Sequence, residues 1–212
     1  MAQRHDFRTL DSRRIYTGAI VSLRVDDVAM PDGHTAEREV VEHHGAVAVV
    51  AVDEQDRVVL VHQYRHPVGL SLVEPPAGLL DVDGEDYLAA AQRELAEEVQ
   101  LEADQWRVLV DVVTSPGGSE ESARVYLATG LHEAPHPEGF VPEDEEAHMQ
   151  VGWEPFEALV DGVLQGRLQS PLLVAGIMAL AAARGTGRMD QLRDSQAPWP
   201  VRDVYARLDR PR

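Results

Sequence analysis

The run Glu85 to Val99 places Leu88, Ala91, Leu95 and Val99 three and four positions apart, which predicts a helix with one apolar stripe. Strand-like segments rich in β-branched residues lie on both sides of it. A one-striped helix set between strands buries its stripe by lying on a sheet, and this constrains the fold more than any other feature of the chain. The strand patterns come in pairs. Val21 to Met30 and Glu37 to His43 flank Pro31-Asp32-Gly33, which predicts a hairpin near the N-terminus. Val47 to Val52 and Arg57 to His62 flank Asp53-Glu54-Gln55-Asp56 and predict a second hairpin. Trp106 to Val113 and Ala123 to Thr129, around Ser115-Pro116-Gly117-Gly118, predict a third. Further helical patterns occupy Pro155 to Leu164 and Pro171 to Ala183. The expected fold is α/β or α+β, a mixed and largely antiparallel sheet sandwiched between helices, with an N-terminal antiparallel hairpin as an extension. Residues 1–45 form the hairpin region, 46–185 the main domain, and the stretch 186–212, which lacks a clear pattern, a C-terminal tail.

Charge narrows the partners. The 212 residues carry 37 Asp plus Glu against 19 basic residues, all of them Arg, for a formal net charge of -18. Such a chain opposes nucleic acid and anionic membrane surfaces, which need clustered basic residues, and a phosphate-bearing substrate needs a cation between it and the protein. The chain has no Cys, which removes disulfides, thiolate metal sites and Cys nucleophiles. The N-terminus lacks an apolar leader, and the longest apolar run, Pro171 to Ala183, is short of the roughly 20 residues a membrane helix needs. A soluble, cytoplasmic protein is expected.

The polar side of the first helix reads Arg93-Glu94-Leu95-Ala96-Glu97-Glu98. At about 3.6 residues per turn, Glu94, Glu97 and Glu98 share one side of the cylinder. Like charges at this spacing destabilise a helix unless they are dispersed in solvent or neutralised by cations, and hard Mg²⁺ or Mn²⁺ suits an all-oxygen set. Arg93 is placed to hold a neighbouring carboxylate such as Glu97. His43, His44, His62 and His66 read as polar strand residues rather than metal ligands, and no Ser-His-Asp arrangement is recognisable.

From Gly78 to Leu101 the chain resembles the Nudix box, G-x5-E-x7-R-E-U-x-E-E-x-G-U with U aliphatic. Glu85, Arg93, Glu94, Leu95, Glu97, Glu98 and Leu101 match at the right spacing, whereas six residues separate Gly78 from Glu85 and Gln100 takes the last Gly position. The six-residue spacer predicts a one-residue bulge before the helix, and Gln100 a non-Gly residue where a left-handed turn usually ends the helix. The resemblance extends from about Val47 to Leu180 and is closest to the ADP-ribose pyrophosphatase branch. Gln63-Tyr64-Arg65, Glu74-Pro75-Pro76-Ala77-Gly78, Thr114-Ser115-Pro116-Gly117-Gly118-Ser119 and the acidic run Glu143-Asp144-Glu145-Glu146 are similar to that branch's local motifs.

This resemblance implies hydrolysis of the diphosphate of ADP-ribose to AMP and ribose 5-phosphate, with two to three Mg²⁺ or Mn²⁺ ions and a metal-activated water. It implies Glu94 and Glu98 as metal ligands, Glu97 as a further ligand or support, and the Ala77 carbonyl as a backbone ligand. Glu143 matches the general base, with Glu145 as an auxiliary acid and Arg93 as part of the catalytic set. Arg65, Glu74 and Gly78 would contact or position the substrate. It also implies a homodimer built through the N-terminal strands, for which Ile15, Ile20, Val21, Leu23 and Val25 offer apolar surface. Other nucleoside diphosphate derivatives (a sugar nucleotide, NADH, a diadenosine polyphosphate) are the alternative substrates. A non-catalytic Nudix regulator that binds ADP-ribose is the alternative without catalysis, and the full R-E-x-x-E-E argues against it.

Overall fold

Ala46–Ala51, strand β4, is apolar and buried at every position, as a strand covered on both faces must be. The computed structural model, which describes residues 6–137 and 146–205, builds the rest of the core around it. The chain ahead of β4 forms β1 (Arg8–Thr17), β2 (Val21–Ala29) and β3 (Thr35–His43). β5 (Arg57–Arg65), β6 (Leu70–Glu74) and β7 (Ala77–Leu79) lead to helix α1 (Tyr87–Val99). β8 (Leu101–Val113), β9 (Ser122–Glu133) and β10 (Gln150–Pro155) precede α2 (Phe156–Leu164) and α3 (Pro171–Gly185). β11 (Arg193–Asp194) and α4 (Pro200–Tyr205) end the described chain.

The strands form a three-stranded sheet β1-β2-β3, a second three-stranded sheet β10-β5-β6, and a five-stranded sheet β11-β8-β9-β4-β7. In the last, β4 runs parallel to β9 and antiparallel to β7, so the sheet is mixed as expected. Alternate residues of its strands face two cores. Val47, Val49 and Ala51 of β4, with Tyr126 and Ala128 of β9, pack with Ala90, Ala91, Leu95 and Val99 of α1. Ala48, Val50, Val125 and Leu127 pack with Phe156 and Leu159 of α2 and Leu173, Ile177 and Leu180 of α3. Helices therefore cover both faces, α1 on the first and α2 with α3 on the second.

The first and third expected hairpins are present: β2 and β3 pair antiparallel from Val21↔His43 to Ala29↔Thr35, and β8 lies beside β9. The second is not a hairpin. β4 and β5 belong to different sheets, and the chain just beyond β4 meets β5 at the isolated bridge Val52↔Val58. Asp53 turns the chain between them by accepting the Gln55 and Arg57 backbone N–H groups at 3.0 and 2.8 Å. Each strand finds better partners elsewhere, β4 in β9 and β7, β5 in β10 and β6, because both are apolar on two faces and need neighbours that a lone hairpin does not supply. β1, largely exposed and polar, was not legible from periodicity; it pairs with β2 from Arg8↔Ala29 to Thr17↔Ser22.

The chain divides into two compact units. One contains the N-terminal segment up to Gly45 together with Val113–Ser122 and the stretch from Trp199; the other contains Ala46–Val112 and Ala123–Pro198. Among the described residues no helix is long and apolar enough to cross a membrane.

Candidate active site

Helix α1 starts abruptly. Asp86 caps it by accepting the Leu88 and Ala89 N–H groups at 3.0 and 3.4 Å, satisfying donors that a helix start otherwise leaves open. The six-residue spacer ahead of the helix contains a turn: Glu85 N–H donates to the Val82 carbonyl at 3.2 Å, and Gly84 sits at φ 78°. At the other end Gln100 adopts the left-handed φ 55° and ψ 43° and passes the chain directly into β8.

With its apolar stripe buried, α1 turns its acidic side toward β7 and the loop before the helix. Arg93 is the centre of that face. Its Nε and Nη2 donate to the two carboxylate oxygens of Glu85, both at 3.0 Å, while Nη1 reaches Glu94 Oε1 at 2.6 Å and Glu97 Oε2 at 2.9 Å. The Glu85 bonds, with the neighbouring Glu94 and Glu97 charges, raise the Arg93 pKa above its ordinary value against the opposing effect of burial, so the guanidinium is permanently charged. Glu98 points to the neighbouring strand, where its Oε2 accepts the Ala77 N–H at 2.9 Å. Gly78 lies directly against Glu94: a Cβ at this position would stand 2.0 Å from the Glu94 carboxylate.

The expected residues Arg93, Glu94, Glu97, Glu98, Ala77 and Gly78 are thus brought together. As they stand, the carboxylates are engaged by Arg93 and the Ala77 amide, and among the described residues no three His, Asp or Glu side chains surround a single point. The donors available are nevertheless all oxygens, and the absent side chain of Gly78 leaves the strand backbone in contact with Glu94. Both features fit a hard divalent cation.

A second element lies at the end of β5. Arg65 Nε and Nη2 both donate to Glu74 Oε2, at 2.9 and 2.5 Å, across the β5–β6 pair. Glu74 is 9% exposed in its side chain and Arg65 43%, so the carboxylate anchors the guanidinium while its outer edge stays open to solvent. The Ser115–Ser119 loop is tied to β3: the Gly118 carbonyl accepts the Val41 N–H at 2.8 Å, and the Glu120 N–H donates to the Val41 carbonyl at 3.1 Å. Glu143 and Glu145 lie outside the described residues. His43 bonds the His44 carbonyl through Nδ1 at 2.6 Å, and His66 meets the Tyr64 hydroxyl at 3.3 Å.

Two features were not anticipated from the sequence. Glu85 is the strongest partner of Arg93, although it precedes the helix and no helical spacing links the two; its place in the box motif was the available signal. In the N-terminal unit, Arg24 pairs with Asp26, Glu42 and Glu120 at 3.0, 2.8 and 3.2 Å, a cluster that depends on strand register and carried no sequence signal.

Comparison with known proteins agrees with this geometry. Residues 42–172 match the NUDIX domain model, and residues 7–41 match the model of the nucleoside diphosphate sugar hydrolase N-terminal domain. The chain is 49% identical over 195 residues to an ADP-ribose pyrophosphatase of Mycobacterium tuberculosis, covering 92% of each protein. It is 42% identical to a methanol dehydrogenase activator of Bacillus methanolicus, over 68% of this chain and 77% of that one. A crystal structure of an ADP compounds hydrolase shares the fold with a TM-score of 0.74 at 20% identity, over 89% of this chain and 100% of that one. An acidic helix gathered on one Arg, seated against a strand glycine and matched over most of the chain, makes this protein a member of the Nudix family.

Proposed function

We propose that the protein is a Mg²⁺- or Mn²⁺-dependent ADP-ribose diphosphatase that releases AMP and ribose 5-phosphate. The observation that carries this reading is the gathering of Glu98 against Ala77 and Glu94 against Gly78, with Glu94 and Glu97 held by Arg93, in a chain 49% identical to an ADP-ribose pyrophosphatase over 92% of its length. Glu94 and Glu98 would hold the metal, two to three ions in all, with Glu97 and the Ala77 carbonyl in support. When bound, the metal neutralises the diphosphate and lowers the pKa of a coordinated water.

The chain's own residues do the rest. Arg93 keeps Glu94 and Glu97 in place and lets a dense anionic face exist on one helix. Arg65 offers its open guanidinium edge to the diphosphate or terminal ribose, Glu74 fixes its direction, and Gly78 lets the substrate-side backbone approach the helix. Glu143, with Glu145 as an auxiliary acid, accepts the proton of the attacking water, since carboxylates occupied by metal are poor bases. The alternative substrate is a sugar nucleotide, favoured by the match of residues 7–41 to a nucleoside diphosphate sugar hydrolase N-terminal domain.

The N-terminal region, residues 1–45, is the dimerising part of a homodimer, 46–185 the hydrolase domain and 186–212 a tail. Leu10, Ile15, Tyr16 and Ile20, each more than half exposed, support the dimer; beside them an open groove of about 710 Å³ mixes Ile15, Leu23, Val25 and Val41 with Arg13, Glu37, Arg38 and Glu39. The absence of Cys fits a cytoplasmic location.

The test is AMP release from ADP-ribose, sugar nucleotides, NADH and diadenosine polyphosphates with Mg²⁺ or Mn²⁺. ADP-ribose is expected to be the best substrate, and Glu98→Gln to abolish turnover. Absence of turnover on every diphosphate by a folded protein would refute the enzyme reading, whereas a strong preference for a sugar nucleotide would refute only the substrate.

A further inference from the structure

Beyond α3 the chain returns along the five-stranded sheet. β11 pairs Arg193 with Val108 and Asp194 with Arg107, and the segment then runs through Gln196 to Pro198. Arg124 pins this segment from beneath. Its side chain is 1% exposed. Nε and Nη2 hold the two oxygens of Asp111 at 2.7 and 3.1 Å, and Nη1 and Nη2 donate to the Ala197 and Pro198 carbonyls at 2.8 and 3.1 Å. Arg193 Nη1 donates to the same Asp111 at 2.7 Å from the strap itself. Burying a guanidinium is costly unless every donor finds an oxygen, and here two of those oxygens belong to the strap backbone.

The strap also reaches α1. Gln196 Nε2 donates to Asp86 Oδ1 at 3.2 Å, the oxygen that caps the helix. The loop ahead of this cap is thinly built. Residues 81–84 are exposed, and the backbone bond closing the turn is the one from Glu85 to Val82. Glu85, next to Asp86, grips Arg93 with two bonds, and Arg93 grips Glu94 and Glu97. A continuous series of contacts thus runs from the buried Arg124 through Ala197, Gln196, Asp86 and Glu85 to the acidic face of α1.

We propose that Arg124 and the 193–198 strap are positioning residues that hold the first turn of α1, and through the Glu85–Arg93 clamp set the carboxylates of the helix for metal binding. The inference rests on the reading of that face as metal-binding, but not on the identity of the substrate. Gln196 is exposed, so its replacement spares the core.

The full-length protein with Gln196→Ala is compared with the parent by Mn²⁺ binding in electron paramagnetic resonance and by hydrogen exchange of the first turn of α1. Loss of one solvent-exposed bond predicts Mn²⁺ binding weakened about two- to five-fold, with the Leu88 and Ala89 amides exchanging faster by a similar factor. The Mg²⁺ activation constant for ADP-ribose hydrolysis is expected to rise in parallel, with kcat at saturating Mg²⁺ and the thermal midpoint retained. Gln196→Arg, which can still donate to Asp86, is expected to restore both readouts. Arg124→Lys, which loses the fork, is expected to show the larger effect if it folds. Unchanged Mn²⁺ binding and exchange in Gln196→Ala, or no recovery in Gln196→Arg, would overturn the proposal. A parent protein that binds Mn²⁺ but hydrolyses nothing would refute the enzyme reading while leaving this test intact.

Discussion

Glu94 leaves no room for a side chain at position 78. An alanine Cβ there would lie 2.0 Å from the Glu94 carboxylate and 2.6 Å from its Cγ, and the contact is with the mobile end of a long side chain rather than with backbone. Glu94 can therefore swing away at small cost to the fold but must abandon its present position. Gly78→Ala is expected to lower diphosphate hydrolysis and Mn²⁺ affinity at least about ten-fold, while stability falls by no more than about 1–2 kcal/mol. Activity assays beside a thermal melt check this; an active Gly78→Ala protein would remove Glu94 from the metal set. Arg93 belongs to the same scale, because one planar guanidinium with five donors serves three carboxylates that would otherwise repel one another.

Among the elements, α1 is both the cover of one sheet face and the carrier of the site, and its ends decide where the acids fall. Asp86 meets the usual requirement for a cap, but Gln100 does not: its φ of 55° is the left-handed region where a side chain is unfavourable. A non-glycine residue there costs roughly 1–2 kcal/mol, and a glycine would relieve this but lose about 0.4–1 kcal/mol through the greater entropy it gives the unfolded chain. Gln100→Gly is therefore expected to stabilise the protein by about 0.5–1 kcal/mol, read as a shift of the denaturant midpoint at constant slope. A destabilised Gln100→Gly protein would mean that the Gln100 side chain makes a contribution larger than its backbone strain.

For the whole molecule the net charge of -18 sets the terms of association. Two such chains repel, so a dimer must bury apolar surface, and Ile15 at 51%, Tyr16 at 59% and Ile20 at 55% exposure provide it on the N-terminal strands. Sedimentation of the parent is expected to give about twice 23.4 kDa, with tighter association as salt screens the repulsion. Ile15→Arg is expected to return the 23.4 kDa monomer. A monomeric parent at every salt concentration would refute the dimer. The same charge opposes an anionic diphosphate, and the acids on α1 bear on both facts, since the cations they are proposed to collect would let such a substrate approach.

The stripe Leu88, Ala91, Leu95 and Val99, the turn residues of the first and third hairpins and the box from Gly78 to Leu101 were legible in the sequence because each depends on residues close together in the chain. Helical period, turn chemistry and motif spacing are local properties. What the tertiary structure decided was long-range: that β4 leaves β5 to pair with β9 and β7, that Glu85 rather than a helical neighbour is the main partner of Arg93, and that Arg124 reaches the carbonyls of Ala197 and Pro198. Strands apolar on both faces accept many partners, and a buried guanidinium accepts any oxygen in reach. Their choice is fixed only when the whole core closes.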